Sequence, residues 1–235
     1  NQATKYKEDY LAGKPFPHVV IDNFFREEIL DSLIGNFPKN ISDYNLKFDN
    51  FAEKKLALNK PEQLSDLNND FINFLNSYVF INFLQKITSI KESLVADPYL
   101  IGGGLHELRN EGFLNIHADF NIHPKIKLDR RLNILIYLNK EWKEENGGQL
   151  ELWDKGMTKC YKSIVPIYNR MVIFSTTSFS NHGNPNKVKC HSDESRKSLA
   201  LYYYSNGRPE NEKASHDHAT IFRKRPGKED KNLYE

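Results

Sequence analysis

The spacing of hydrophobic and polar positions changes along the chain. In residues 26–37, Ile29, Leu30, Leu33, Ile34 and Phe37 recur on one helical face, and Pro38 stops the run. In residues 62–90, Leu64, Leu67, Phe71, Ile72, Leu75, Val79, Phe80, Phe83 and Leu84 keep helical spacing with a break near Ser77 and Tyr78. That pattern predicts two helices, or one with a kink. Residues 5–11 read as a short polar helix and 18–24 as a short β-rich run. Residues 44–60 mix aromatic and charged side chains without a clean period, which predicts a loop or irregular covering segment.

From about residue 97 the texture becomes β-prone, with short runs at 112–120, 131–138, 149–153, 170–174 and 197–204 separated by Gly, Asn, Asp and Pro. Strands at this spacing predict a sandwich or barrel. No linker-like stretch divides the helices from the strands. The fold expected is α+β and mainly β, in one domain over 1–235. Residues 1–96 supply helical support, 97–206 the β core, and 207–235 a polar tail. The basic run at 223–225 fits a solvated or frayed terminus.

Composition removes several alternatives. Hydrophobic residues make up 39% of the 235, enough to exclude wholesale disorder. The longest apolar runs, such as 134–138, are far below the roughly 18 residues of a membrane-spanning helix. Thirty-three basic against 31 acidic residues leave a net charge of +2, without the basic excess of a dedicated nucleic-acid binder. Neither nucleic acid nor membrane is expected as a partner. Cys160 and Cys190 form no CxxC pair, which excludes a disulfide framework, a zinc ribbon and a thioredoxin-like site. Two reduced thiols fit a cytoplasmic protein. Residues 1–13 hold no apolar stretch of a secretory signal; the first residue is not Met, so a removed leader stays open.

The sharpest chemical feature is His117-Ala118-Asp119. On a strand, residues i and i+2 face the same way, so imidazole and carboxylate converge. A lone HxD is a weak signal, and on its own a surface hydrogen-bonded pair is the plainer reading. His182 follows 65 residues later, beyond the apolar run at 171–174. Two imidazoles and one carboxylate make the facial triad of non-haem Fe(II) oxygenases, with positions left open. The absence of a thiolate disfavours structural zinc. Arg196 shares a strand face with Ser198, Ala200 and Tyr202, small groups beside a guanidinium, as in a pocket ending on an anion; a surface ion pair is the plainer alternative. Tyr137 shares a face with Arg131, Asn133 and Leu135, opposite Leu132, Ile134, Ile136 and Leu138. That pattern suits a ligand-lined strand or a half-exposed edge. His191 competes with His182 as distal ligand, but lies in a polar stretch. His123 reads as an exposed loop histidine or as part of the substrate mouth. His216-Asp217-His218 lacks a third ligand nearby. Gly102-Gly103-Gly104 lacks the Lys-Ser/Thr of a phosphate loop and reads as flexible backbone before a strand.

Taken in order, the HxD, the run 131–139 followed by Trp142, Gly147-Gly148 and 149–153, then 169–174, His182-Gly183 and 196–204 resemble the prolyl-4-hydroxylase-like 2-oxoglutarate/Fe(II) dioxygenases over roughly residues 100–205. The resemblance implies a double-stranded β-helix, a jelly-roll core with flanking helices. It implies that His117, Asp119 and His182 bind Fe(II). It further implies that Arg196 holds the distal carboxylate of the co-substrate 2-oxoglutarate, with Tyr137 hydrogen-bonding the same group. The implied reaction consumes O2 and hydroxylates an unactivated C–H bond of a prolyl residue in a peptide or protein; a free amino acid or other small molecule is the alternative substrate. Segments 44–60 and 121–130 are candidate lids. The sequence departs from the family in one place: a Tyr often precedes the first His by some ten residues, and 105–116 contain none. The competing classes are a non-catalytic jelly-roll binding module and a cupin-like metal enzyme.

Overall fold

The computed structural model describes residues 2–228. In chain order the elements are α1 (Gln2–Ala12), β1 (His18–Asp22), α2 (Glu27–Gly35), β2 (Leu46–Asp49), β3 (Glu53–Leu58), α3 (Asp66–Leu75), α4 (Tyr78–Thr88), β4 (Leu94–Ala96) and β5 (Gly104–Leu108). Then follow β6 (Phe113–Ala118), β7 (Asp129–Tyr137), β8 (Leu150–Trp153), β9 (Cys160–Ile164), β10 (Arg170–Ser175), β11 (Asn181–Asn184), β12 (Arg196–Ser205) and β13 (Ile221–Phe222). The break near Ser77 is a true helix boundary. Asn76 ends α3, and Ser77 precedes α4 in extended conformation. At the start of α3, Ser65 accepts the Asn68 N–H, satisfying one of the donors a helix N-terminus leaves unpaired.

The strands pair in the order β1-β10-β7-β12-β5-β3-β6-β11-β8-β9, every pair antiparallel, with β2 on β3, β4 on β12 and β13 on β6. The sheet curls on itself. Tyr137 of β7 and Val172 and Phe174 of β10 share one apolar cluster with Leu150, Leu152 and Ile164 of β8 and β9, which lie far along the pairing order. The opposite face of β7, β10 and β12 carries Leu132, Ile134, Ile136, Met171, Ile173, Leu199 and Leu201 into the larger core. There Leu30, Leu33, Phe71, Leu75, Phe80 and Leu84 of the helices cover it. Period-2 alternation therefore divides each central strand between a helix-backed core and the interior of the curled sheet.

Two expectations from sequence are corrected here. Residues 44–60 contain a β-hairpin, not an irregular loop. Strand β3 joins the halves of the sheet, pairing β5 through Leu56, Ala57 and Leu58 and β6 through Glu53 and Lys54. The alternation exists, with Leu46 and Phe48 half-buried and Lys47 and Asp49 exposed, but four residues are too few to register as a period. The polar tail from 207 is not frayed over its described part. Arg208 is buried and donates to the Thr176 carbonyl at 2.6 Å, and β13 returns onto the HxD strand. Residues 229–235 of that predicted tail lie outside the described residues. No described helix is long and apolar enough to cross a membrane.

Candidate active site

Strands β6 and β11 bring the two histidines together directly, since His182 and His117 are partners in register. The close approach needs Gly183. A Cβ there would stand 2.7 Å from the Asn115 carbonyl oxygen and 2.8 Å from that of Leu114. His182 lies inside β11, a four-residue strand of its own, rather than in the loop trailing the 170–175 strand. Each imidazole is oriented by its Nδ1, 2.8 Å from a carbonyl two residues earlier: Asn115 for His117 and Ser180 for His182. A carbonyl only accepts, so Nδ1 carries the proton and Nε2 keeps its lone pair, the tautomer a metal requires. The Nε2 atoms lie 3.5 Å (His117) and 3.4 Å (His182) from the Asp119 carboxylate oxygens. One ligand atom from each of the three residues falls within 4.8 Å of the other two.

The charges around this point are compensated. Burial would raise the Asp119 carboxyl, but Arg130, His182 and His117 outweigh it and hold the group well below the usual carboxylate range. Arg130 Nη2 sits 3.1 Å from Asp119 Oδ2, and Asn133 Nδ2 donates to the same oxygen at 2.7 Å. Arg130 also donates to Asn133 Oδ1 and is sandwiched between the rings of Phe120 and Tyr202, at 4.5 and 3.5 Å. Burial pushes the His182 imidazole down to about 4, so it stays neutral near pH 7.

Sequence alternation placed Arg131, not Arg130, on this face. The β7–β12 register shifts between Tyr203 and Tyr204, and the bulge reverses the alternation at its end. Arg131 turns away to Glu92 and Ser205, each at 2.8 Å, and Arg130 enters the site. A bulge leaves no mark in a hydropathy pattern, so Arg130 was not legible. His123 is a further correction. It is neither exposed nor at the mouth; it is fully buried, with Nε2 3.1 Å from Asp97 Oδ1. His216 and His218 form no metal cluster among the described residues. The His218 Nε2 lies 2.6 Å from Ser178 Oγ instead.

The three ligand side chains line a cavity of about 270 Å³. At its far end Arg196 is 3% exposed. Its Nε donates to the Gly148 carbonyl at 2.8 Å, and no carboxylate among the described residues pairs with it. A Cβ on Gly148 would stand 2.8 Å from Arg196 Cδ, so this glycine forms the guanidinium's cradle. Tyr137 lies beneath, its ring 4.9 Å from the guanidinium carbon, and its buried hydroxyl interacts with the Arg196 guanidinium without completing a hydrogen bond of normal geometry. A buried cation without an anion beside an unsatisfied hydroxyl suits a carboxylate ligand in chemistry and position. Ser198 and Leu135 complete this end. His106 also lines the cavity, eleven residues before His117, near where the resemblance led one to expect a tyrosine. Burial and Lys55 push its imidazole down to about 3. Together, the donor set and the unpaired guanidinium fit Fe(II) and 2-oxoglutarate.

Comparison with known proteins agrees with this chemistry. Residues 103–213, which include all five side chains named from sequence, match the 2OG-Fe(II) oxygenase superfamily. A prolyl-4-hydroxylase from Pseudomonas putida superposes with a TM-score of 0.60 at 12% identity, covering 87% of this chain and 100% of its own. A Trichoplax adhaerens prolyl hydroxylase in complex with a hypoxia inducible factor oxygen degradation domain peptide fragment gives 0.51 at 15% identity, covering 87% and 91%. HygX from Streptomyces hygroscopicus, with nickel, 2-oxoglutarate and hygromycin B bound, gives 0.55 at 9% identity, covering 91% and 97%. At these identities the structures share the fold. Residues 103–213 thus carry the pattern of the 2OG-Fe(II) oxygenase superfamily, the chain has the jelly-roll fold of prolyl-4-hydroxylase-like structures, and with its His-Asp-His cluster it is an Fe(II)- and 2-oxoglutarate-dependent dioxygenase.

Proposed function

We propose that His117, Asp119 and His182 hold the iron, that Arg196 and Tyr137 hold the distal carboxylate of 2-oxoglutarate, and that the enzyme hydroxylates a prolyl residue of a peptide or protein. One observation carries the assignment: a single cavity joins three convergent ligand atoms to a buried guanidinium that lacks an anion. Bound iron, with 2-oxoglutarate and O2, supplies the oxidising power that a C–H bond demands. The chain's own residues do the positioning. The Asn115 and Ser180 carbonyls aim both imidazoles, and Arg130 and Asn133 fix the Asp119 carboxylate. Arg196 pairs the incoming carboxylate, and Tyr137 donates to it. The three ligand side chains, none more than 10% exposed, leave little room for water around the metal position. The helical support of 1–96 and the β core form one working unit, a reading supported by the apolar cluster that both contribute to.

The prolyl substrate is supported by the fold shared with prolyl hydroxylases, one of them holding a peptide. The likeness to HygX, which holds hygromycin B, supports a small-molecule substrate as the second reading. Anaerobic protein mixed with Fe(II) and 2-oxoglutarate should develop a weak visible charge-transfer band; intact, folded protein that shows none contradicts the ligand assignment. Mass spectrometry of prolyl peptides and free amino acids for the gain of one oxygen atom then separates the two substrate readings.

A further inference from the structure

The HxD strand β6 has two edges. One pairs β11 and brings His182 to His117. The other is filled along its length. Strand β3 takes Phe113 and Leu114, the Ala52 carbonyl accepts the Asn115 N–H at 2.8 Å, the Ile116 carbonyl accepts the Arg223 N–H at 2.6 Å, and β13 takes His117 and Ala118. A peptide therefore cannot add to this edge as a strand; the β2–β3 hairpin, through Phe48, Glu53 and Lys55, and the C-terminal segment, through Thr220 and Phe222, both border the cavity.

From this geometry we infer that residues 219–225 form the substrate-side wall of the active site, and that Phe222, with Thr220, selects an uncharged apolar residue carried within a peptide over a free amino acid. The inference rests on the iron and 2-oxoglutarate site proposed above. Phe222 is the register partner of His117, and its ring lies 5.5 Å from that imidazole. Thr220 and Phe222 both line the cavity, as alternation about Ile221 requires. The segment is anchored on both sides. Asn121 donates to the His216 carbonyl at 3.0 Å and accepts the His218 N–H at 2.9 Å, and beyond Phe222 Arg225 donates to Asn186 at 3.2 Å.

The charge at the mouth decides the substrate class. Phe48, Phe120, Tyr202 and Phe222 give it apolar faces. Its two charged side chains, Glu53 and Lys55, neutralise each other at 3.1 Å. Deeper in, Arg130 is matched by Asp119. Arg196 lies at the co-substrate end. Arg223, Lys224 and Arg225 follow Phe222 but do not line the cavity, so among the described lining residues at the mouth no unpaired charge meets the ammonium and carboxylate of a free amino acid, and burying those ions unpaired is unfavourable. A prolyl ring with both ends in amide bonds carries no such ions.

The test compares end-capped prolyl peptides with free proline in the full chain, following hydroxylated product and succinate together. The capped peptide should exceed free proline by ~10-fold or more in kcat/KM, the scale on which pockets discriminate. Phe222→Ala should release succinate without matching product, lowering the product-to-succinate ratio by a similar factor, while Ni(II) and 2-oxoglutarate still bind in calorimetry. Phe222→Leu, which keeps an apolar wall, should recover most of the ratio and so separates a wall from a general loss of folding. A preference for free proline, or an unchanged ratio in Phe222→Ala, overturns the inference. Wild-type protein that binds neither Ni(II) nor 2-oxoglutarate overturns instead the site reading beneath it.

Discussion

Replacing Arg196 by Met should do two opposite things. The guanidinium is 3% exposed, and no carboxylate among the described residues pairs with it. Burial pulls its pKa below the usual arginine value, the mark of a cation held at a cost. Removing one partner of a buried ion pair costs about 3–5 kcal/mol. At about 1.4 kcal/mol per decade, the 2-oxoglutarate Kd should rise by roughly two to three and a half orders of magnitude. The metal-free, co-substrate-free protein should respond the other way. An apolar side chain there relieves an uncompensated charge, offset in part by the lost hydrogen bond to the Gly148 carbonyl and the lost contact with the Tyr137 ring, the latter worth about 0.5–2 kcal/mol. A net gain of ~1 kcal/mol would raise Tm by about 2–4 °C in a domain of this size. Calorimetric titration of 2-oxoglutarate into Ni(II)-loaded protein, beside thermal melts of the unloaded protein, reads both effects. A Kd within three-fold of wild type (~0.65 kcal/mol) refutes the role assigned to Arg196. A fall in Tm of the unloaded protein refutes the claim that it is an unpaired cation.

Three further outcomes follow from the same geometry. Tyr137→Phe removes a hydroxyl that completes no well-formed hydrogen bond without ligand, so unfolding free energy in denaturant should hold within about 1 kcal/mol while 2-oxoglutarate binding weakens by about ten-fold; loss of folding with unchanged binding would reverse the assignment. Arg130→Ala strands the buried Asp119 carboxylate and should cost the metal-free fold about 3–5 kcal/mol in chemical denaturation, whereas a change below ~1 kcal/mol would show that the contact is dispensable. Folded-state pKa values of about 3 for His106 and about 4 for His182 lie below the unfolded value near 6.5. The unfolded chain therefore binds more protons in that window, and metal-free stability should fall as pH drops from about 6.5 toward 4. His106→Gln should reduce that slope by up to about 1.4 kcal/mol per pH unit, and an unaltered slope would contradict burial as the cause.

The legible part of this protein was local. Two-residue periodicity places His117 beside Asp119 and Arg196 beside Ser198, because alternation on a strand follows directly from covalent geometry. The helix break near Ser77 was legible for a similar reason, since Asn and Ser interrupt an apolar repeat. What stayed hidden depends on pairing between distant strands. The bulge opposite Tyr203 and Tyr204 exchanged Arg131 for Arg130, and only the register of β7 against β12 encodes it. Residues 219–225 look like solvated chain because their hydrogen-bond partners, Ile116, Ala118 and Asn186, lie far back in sequence. His123 looked exposed because Asp97, which satisfies it in the interior, is 26 residues away. Hydropathy reports whether a side chain is polar; whether a buried partner awaits it is a property of the fold.

The most direct test of the site is a crystal structure of the protein loaded with Ni(II) and 2-oxoglutarate, with the metal located by anomalous scattering. A peak within bonding distance of His117 Nε2, His182 Nε2 and an Asp119 oxygen, with the far carboxylate of 2-oxoglutarate paired to Arg196, is the predicted result. A peak among His216, Asp217 and His218, or a co-substrate that leaves the Arg196 guanidinium unpaired, would contradict it.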